Sequence, residues 1–162
     1  MRDVMTHDPV CCTPETALDK VARLMVEYDC GSIPVIKNED DYRPTGVITD
    51  RDIVVRCVAE GKNPLNLVAN DCMSNSCVTV SPEATIDDCC KVMEAYQVRR
   101  VMVVDAQGEL VGLVAQADIA GAVPDEEIAE VVKEISQPSY ALEELRDYTA
   151  NDATFEAPNR RS

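Results

Sequence analysis

The chain has 162 residues, 46% of them apolar and 28% charged, which is room for one domain or two very small ones. Thirty Asp and Glu against fifteen Lys and Arg give a formal charge of -15. That charge excludes nucleic-acid binding through bulk electrostatics and adsorption to an anionic membrane. A single His excludes a centre built on two imidazoles, and the absence of Trp with only one Phe leaves no stacking platform for single strands.

The first eight residues, Met1-Arg2-Asp3-Val4-Met5-Thr6-His7-Asp8, have no apolar core behind their positive charge. They do not read as a signal peptide, no later run approaches the length of a membrane span, and a cytoplasmic location is expected. His7 lies in a polar segment and reads as structural or exposed. A short strand is predicted at Val10–Cys12. Thr13, followed by Pro14 and Glu15, reads as the N-cap of a helix with Leu18, Val21, Ala22, Met25 and Val26 on one face. Ile33–Ile36 reads as a strand, Lys37–Arg43 as a polar loop and Thr45–Ile48 as a second strand. A second helix is predicted from Asp50 to about Glu60, stopped by Gly61.

The same order then repeats. Cys77–Val80 reads as a strand and Ser81-Pro82-Glu83 as a helix start, with Ile86, Cys89, Cys90 and Met93 on the apolar face. Val101–Val104 and Leu110–Val114 read as a hairpin, followed by a helix from Gln116 to about Gly121. Residues 125–136 carry Ile128, Val131, Val132 and Ile135 at helical spacing, and residues 137–162 read as a flexible tail.

Shifting the sequence by 68 residues lays Asp3-Val4-Met5 on Asp71-Cys72-Met73, Thr13-Pro14-Glu15 on Ser81-Pro82-Glu83, and Ile33–Ile36 on Val101–Val104. The first copy has a loop two residues longer, so Gly46-Val47-Ile48 falls on Gly112-Leu113-Val114 at an offset of 66. The expected fold is α+β: tandem β-α-β-β-α repeats at about residues 1–66 and 69–124, related by a pseudo-twofold axis, with two equivalent clefts between them. Neither copy has enough core to stand alone.

The eight Cys, at 11, 12, 30, 57, 72, 77, 89 and 90, lack the spacing of a disulfide framework or a zinc site. They read as free thiols packed as small apolar groups in a reducing compartment, and no metal site is expected. The charge is uneven: residues 105–162 carry 13 acids and 4 bases, residues 1–104 carry 17 acids and 11 bases. The first part therefore keeps cations that can meet a small anion.

Gly-Ser-Ile-Pro-Val-Ile (31–36) and Gly-Val-Ile-Thr-Asp-Arg-Asp-Ile (46–53) in the first copy resemble a CBS-domain pair, also called a Bateman module. So do residues 98–105 and 112–119 in the second copy, with Asp-Val-Met-Thr and Asp-Cys-Met-Ser at the start of each repeat. The resemblance covers about residues 1–122. It implies a regulatory module that binds an adenosine-containing ligand (AMP, ADP, ATP or S-adenosylmethionine) between the repeats and signals to a partner on a separate chain. It implies a homodimer too, with no obligatory cofactor.

The family motif, Gly, two apolar residues, Thr or Ser, two variable residues, then Asp, is complete at Gly46–Asp52. By the resemblance, Thr49 and Asp52 would meet phosphate and ribose, while Arg99 and Arg100 from the other repeat would meet phosphate. The adenine would lie against Ile33, Pro34, Val10 and Val101. The second copy keeps Asp118 but has Ala115 in place of Thr, with uncharged Gly31 and Ser32 across from it. The expectation is one competent site at Thr49 and Asp52, and a weaker cleft at Asp118, Gly31 and Ser32. A capping or dipole role is the alternative for Asp52, and a solvated pair for Arg99 and Arg100. A ligand-free dimerisation or scaffold module with vestigial clefts is the alternative for the chain. No catalytic residue is nominated, because no activated nucleophile pair exists and only one imidazole is present.

Overall fold

The computed structural model describes residues 1–123; the predicted helix at 125–136 and the tail beyond it lie outside the described residues. The elements run β1 (Thr6–His7), α1 (Leu18–Glu27), β2 (Ser32–Asn38), β3 (Asp41–Thr49), α2 (Asp50–Ile53), β4 (Thr79–Val80), α3 (Ile86–Tyr96), β5 (Arg100–Val104), β6 (Leu110–Ala115) and α4 (Gln116–Ala122). The chain after α2 continues in a π-helical turn, Val54–Val58. Among the described residues no helix is long and apolar enough to cross a membrane.

Each hairpin follows from an apolar run that is buried on both faces. In β2, Ser32 through Ile36 are all buried, as a strand covered on both sides requires. Ile33 and Val35 join Leu18, Val21 and Met25 of α1 in one core. Val101 and Val103 of β5 join Cys89 and Met93 of α3 in a second. Ile36 meets Met102 and Leu110 in a third cluster that joins the two repeats.

The pseudo-twofold relation is written in the pairings. β1 pairs antiparallel with β6, Thr6 opposite Leu113. The matching bridge in the other sheet joins Ser74 to Val47. Cys12 pairs parallel with Val35, and Val80 pairs parallel with Val103. Each repeat thus begins by adding a strand to the other repeat's hairpin. The methionines beside those crossings do the same: Met5 lies in the core of the second repeat, and Met73 in the core of the first. Each unit is incomplete without its partner, as the small size of one copy demands.

Two sequence expectations are corrected. Thr13 and Ser81 do not cap helices. They open turns closed by Thr16 N–H to Thr13 O and Ala84 N–H to Ser81 O, because Pro in the second position of such a turn fixes the required φ. The helices start five residues after them, at Leu18 and Ile86. Second, β3 extends back to Asp41, which leaves Glu39 and Asp40 as the turn and shortens the predicted loop.

No disulfide joins any of the eight cysteines. Burial pushes the Cys11 and Cys89 thiols up to about 11 and Cys12 to about 12. These three stay protonated at neutral pH and act as packing groups rather than nucleophiles.

Candidate functional site

A cleft of about 450 Å³ opens between the repeats, lined by residues 6–10 and 28–32 of the first and by Arg100, Leu113, Ala115 and Asp118 of the second. That volume suits a small organic ligand. The floor is the β5–β6 hairpin, where Arg100 and Ala115 stand opposite each other. One wall is β1 with the segment after it, brought there by the strand exchange. The other is the turn from α1 into β2.

Asp118 sits in the first turn of α4, partly exposed. Its Oδ2 accepts a 2.7 Å bond from Ala115 N–H, which fixes the carboxylate at the cleft edge. With no hydroxyl on Ala115, that is the only bond the cap makes, and α4 has no basic residue in its last turn. The other carboxylate oxygen faces no cation of its own helix.

The start of α2 is built alike but is more fully occupied. Asp52 Oδ2 accepts from Thr49 N–H at 2.9 Å and from Thr49 Oγ1 at 2.6 Å, while Asp52 N–H donates back to Thr49 Oγ1 at 3.0 Å. Asp52 Oδ1 faces Arg56 at 3.6 Å. Arg56 also donates to the carbonyls of Cys72 and Met73. The one proton of the Thr49 hydroxyl is therefore committed to Asp52, and a phosphate would have to displace it.

The structure brings together Asp118, Gly31 and Ser32, the residues assigned to the weaker cleft, and it adds Val10 and Arg100 to them. Arg100 was expected at the Thr49 side. A Cβ on Gly31 would lie 3.3 Å from Arg100 Nη2 and 3.2 Å from Asp50 Oδ2. The guanidinium thus reaches across to the first repeat beside an acid. Positions 32 and 100 are equivalent and central, so a long side chain at either one can lean toward either cleft. Arg99 is exposed at the mouth of β5.

Three of the residues assigned to the adenine wall have no surface to offer. Ile33 and Val101 are completely buried, and Pro34 is buried as deeply. Ile33 and Val101 belong to the two repeat cores, and the Pro34 carbonyl accepts from Cys12 N–H. Their side chains pack the fold; of the four, Val10 alone lines the cleft.

Sequence reasoning missed Thr6, Asp8, Tyr28 and Asp29, all of which line it. The strand exchange brings Thr6 and Asp8 there, and no local pattern announces it. Asp29 had a signal: it follows α1 in a left-handed conformation, φ 47, a position that favours Gly, Asn and Asp.

The CBS-domain profile matches residues 1–58 and 68–125. Hypoxic response protein 1 of Mycobacterium tuberculosis is 38% identical over 137 residues, 85% of this chain and 94% of its own. The CBS domain-containing protein YhcV of Bacillus subtilis is 33% identical over 120 residues, 74% of this chain and 82% of its own. A crystal structure of hypoxic response protein I with two coordinated zinc ions superposes with a TM-score of 0.67 at 35% identity, over 76% of this chain and 98% of that one. A crystal structure of CBSX2 in complex with AMP superposes with a TM-score of 0.63 at 26% identity, over 74% of this chain and 92% of that one.

Proposed function

The chain belongs to the CBS-domain family, and from that premise we propose that it is a regulatory module that binds an adenosine nucleotide between its two repeats. The observation that carries the reading is the cleft at Asp118, which holds a fixed carboxylate and one guanidinium, Arg100, in a space of about 450 Å³. A carboxylate accepts bonds from both hydroxyls of a ribose, and a guanidinium fork fits phosphate oxygens. AMP bound to the similar CBSX2 supports the ligand class. In this reading Asp118 takes the ribose and Arg100 the phosphate. Thr49, Asp52 and Arg99 define the second cleft, in which the ligand must compete with the Thr49–Asp52 bonds.

The module acts by binding, not turnover, and passes its state to a partner protein. Self-association belongs to the proposal: Val54, Val55 and Val58 are half-exposed after α2. So does a cytoplasmic location, supported by eight cysteines with no disulfide among them. Among the described residues no three His, Cys, Asp or Glu side chains cluster to hold a metal.

Calorimetric titration with AMP tests the reading. Saturable binding that is lost in Asp118→Ala is the expected result. Absence of binding at millimolar AMP, ADP, ATP and S-adenosylmethionine would overturn it. A ligand-free scaffold is the second reading, favoured by the way Thr49 and Asp52 satisfy each other.

A further inference from the structure

We propose that the Asp118 cleft selects by ligand charge: it accepts an adenosyl ligand with one phosphate or a net positive group, and rejects di- and triphosphates. This rests on the nucleotide-binding reading above and adds a specificity to it.

The cleft wall carries three carboxylates, Asp8, Asp29 and Asp118, against one guanidinium, Arg100. Asp8 and Asp29 are exposed acids on a backbone that is held in place. Both hold left-handed backbone conformations, φ 44 and 47. Asp8 N–H donates to Val111 O as β1 leaves β6, and Asp29 N–H donates to Val26 O at the end of α1. The backbone therefore fixes where each acid leaves the wall. Asp50 stands nearby as a further acid: its Oδ2 and Arg100 Nη2 lie 3.2 and 3.3 Å from one point beside Gly31. The single guanidinium matches one phosphate charge.

The acidity is not a property of the repeat. Sixty-eight residues on, Asp8 becomes Ser76, Asp29 becomes Gln97 and Gly31 becomes Arg99. Gln97 keeps the left-handed turn, φ 50. The left-handed turn is preserved while its charge is exchanged, so Asp8 and Asp29 have no acidic counterparts in the other repeat. Each further phosphate placed in the cleft adds charge of the same sign as the carboxylates on its wall. At separations within the roughly 8 Å screening length of physiological salt, that repulsion is not screened out.

The test is calorimetry on the full chain with adenosine, AMP, ADP, ATP and S-adenosylmethionine, without divalent cations, at about 0.15 M salt. Binding of unchanged affinity in Asp118→Ala belongs to another site and is subtracted. The expected result is an affinity loss of about tenfold for each phosphate beyond the first, with S-adenosylmethionine at least as tight as AMP. The double variant Asp8→Asn, Asp29→Asn keeps side chains that tolerate the left-handed backbone, so its fold is preserved. It should recover ADP and ATP about tenfold while AMP shifts less than about threefold. ATP binding as tightly as AMP in the wild type, or an unchanged AMP-to-ATP ratio in the double variant, overturns the selectivity and leaves the nucleotide reading standing. Failure of every adenosyl ligand to bind overturns both.

Discussion

The two repeats start their second helices from nearly the same backbone and finish them differently. Thr49 has φ -116, ψ 161 and Ala115 has φ -98, ψ 157. In each, the Asp three residues on accepts from the N-cap N–H. The first repeat adds a hydroxyl that closes a reciprocal pair and an Arg56 beside the carboxylate. The second has Ala115, and Ala122 where Arg56 would stand. The first cap is therefore the better structural device, and the second leaves its carboxylate freer for a ligand. The motif that best matches the family is not automatically the most available site, because the same Thr and Asp that would hold a ligand also hold each other.

The largest expected effect tests the strand exchange that walls the Asp118 cleft. Gly46 and Gly112 are equivalent and sit where the entering strand crosses the hairpin. A Cβ on Gly46 would lie 2.5 Å from the carbonyl oxygen of Ser74, whereas on Gly112 it would press on the Met5 side chain. Backbone cannot yield there without breaking the paired Val47 and Ser74 bonds, while a methionine can rotate. Gly46→Ala should cost about 3 kcal/mol and Gly112→Ala about 1 kcal/mol, read by urea unfolding. Equal costs would show that the two crossings are not held in the way described.

Next in size is the contrast between the two carboxylates. Asp118→Ala should weaken AMP binding by tenfold or more, about 1.4 kcal/mol, while Asp52→Ala changes it less than about threefold. The reverse order would return the principal site to Thr49 and Asp52. Exchanging the caps is a smaller perturbation. Thr49→Ala should destabilise by about 1 kcal/mol, and Ala115→Thr should stabilise by about 0.5–1 kcal/mol, as changes in melting temperature. The second substitution also offers Asp118 an internal partner, so it should lower ligand affinity as it raises stability.

The repeat, the hairpins and the motif carboxylates were legible in the sequence because each rests on local spacing. What was not legible depends on the other repeat. β1 is two residues long and exists only because β6 accepts it, so no pattern within Thr6–His7 announces a strand. Ser or Thr followed by Pro and Glu reads equally as a helix start or a turn, and the tertiary path decided for the turn. Ile33, Pro34 and Val101 were expected beside the ligand because they border the motif, but strands covered on both faces leave no side chain over. Arg100 lines the cleft opposite to the one its position suggested, since a central residue with a long side chain can lean to either side.

The smallest effect concerns the first helices, where the asymmetry runs the other way. Thr85 caps α3 reciprocally with Asp88: Thr85 Oγ1 donates to Asp88 Oδ2 at 2.7 Å, and Asp88 N–H donates back at 3.1 Å. The matching position before α1 is Ala17, which makes no side-chain cap. There Leu18 N–H is met instead by Leu67 O from the linker. The Thr85 hydroxyl, and then its N–H, hold the Asp88 carboxyl below the usual carboxylate range. A folded-state pKa below the unfolded one stabilises the fold above the unfolded value, near 3.9, and that stabilisation is lost as pH falls through the lower, folded value. Thr85→Ala should therefore melt below wild type at pH 7, and the gap should narrow as the pH drops below the carboxylate range, leaving the part due to the Asp88 N–H bond to Thr85 Oγ1. Thr13→Ala is the control, because its hydroxyl meets only Thr16 Oγ1, at 3.2 Å, and caps nothing; its acid profile should parallel wild type. A constant gap between Thr85→Ala and wild type down to acid pH would mean that the cap acts through Thr85 alone, without the Asp88 charge.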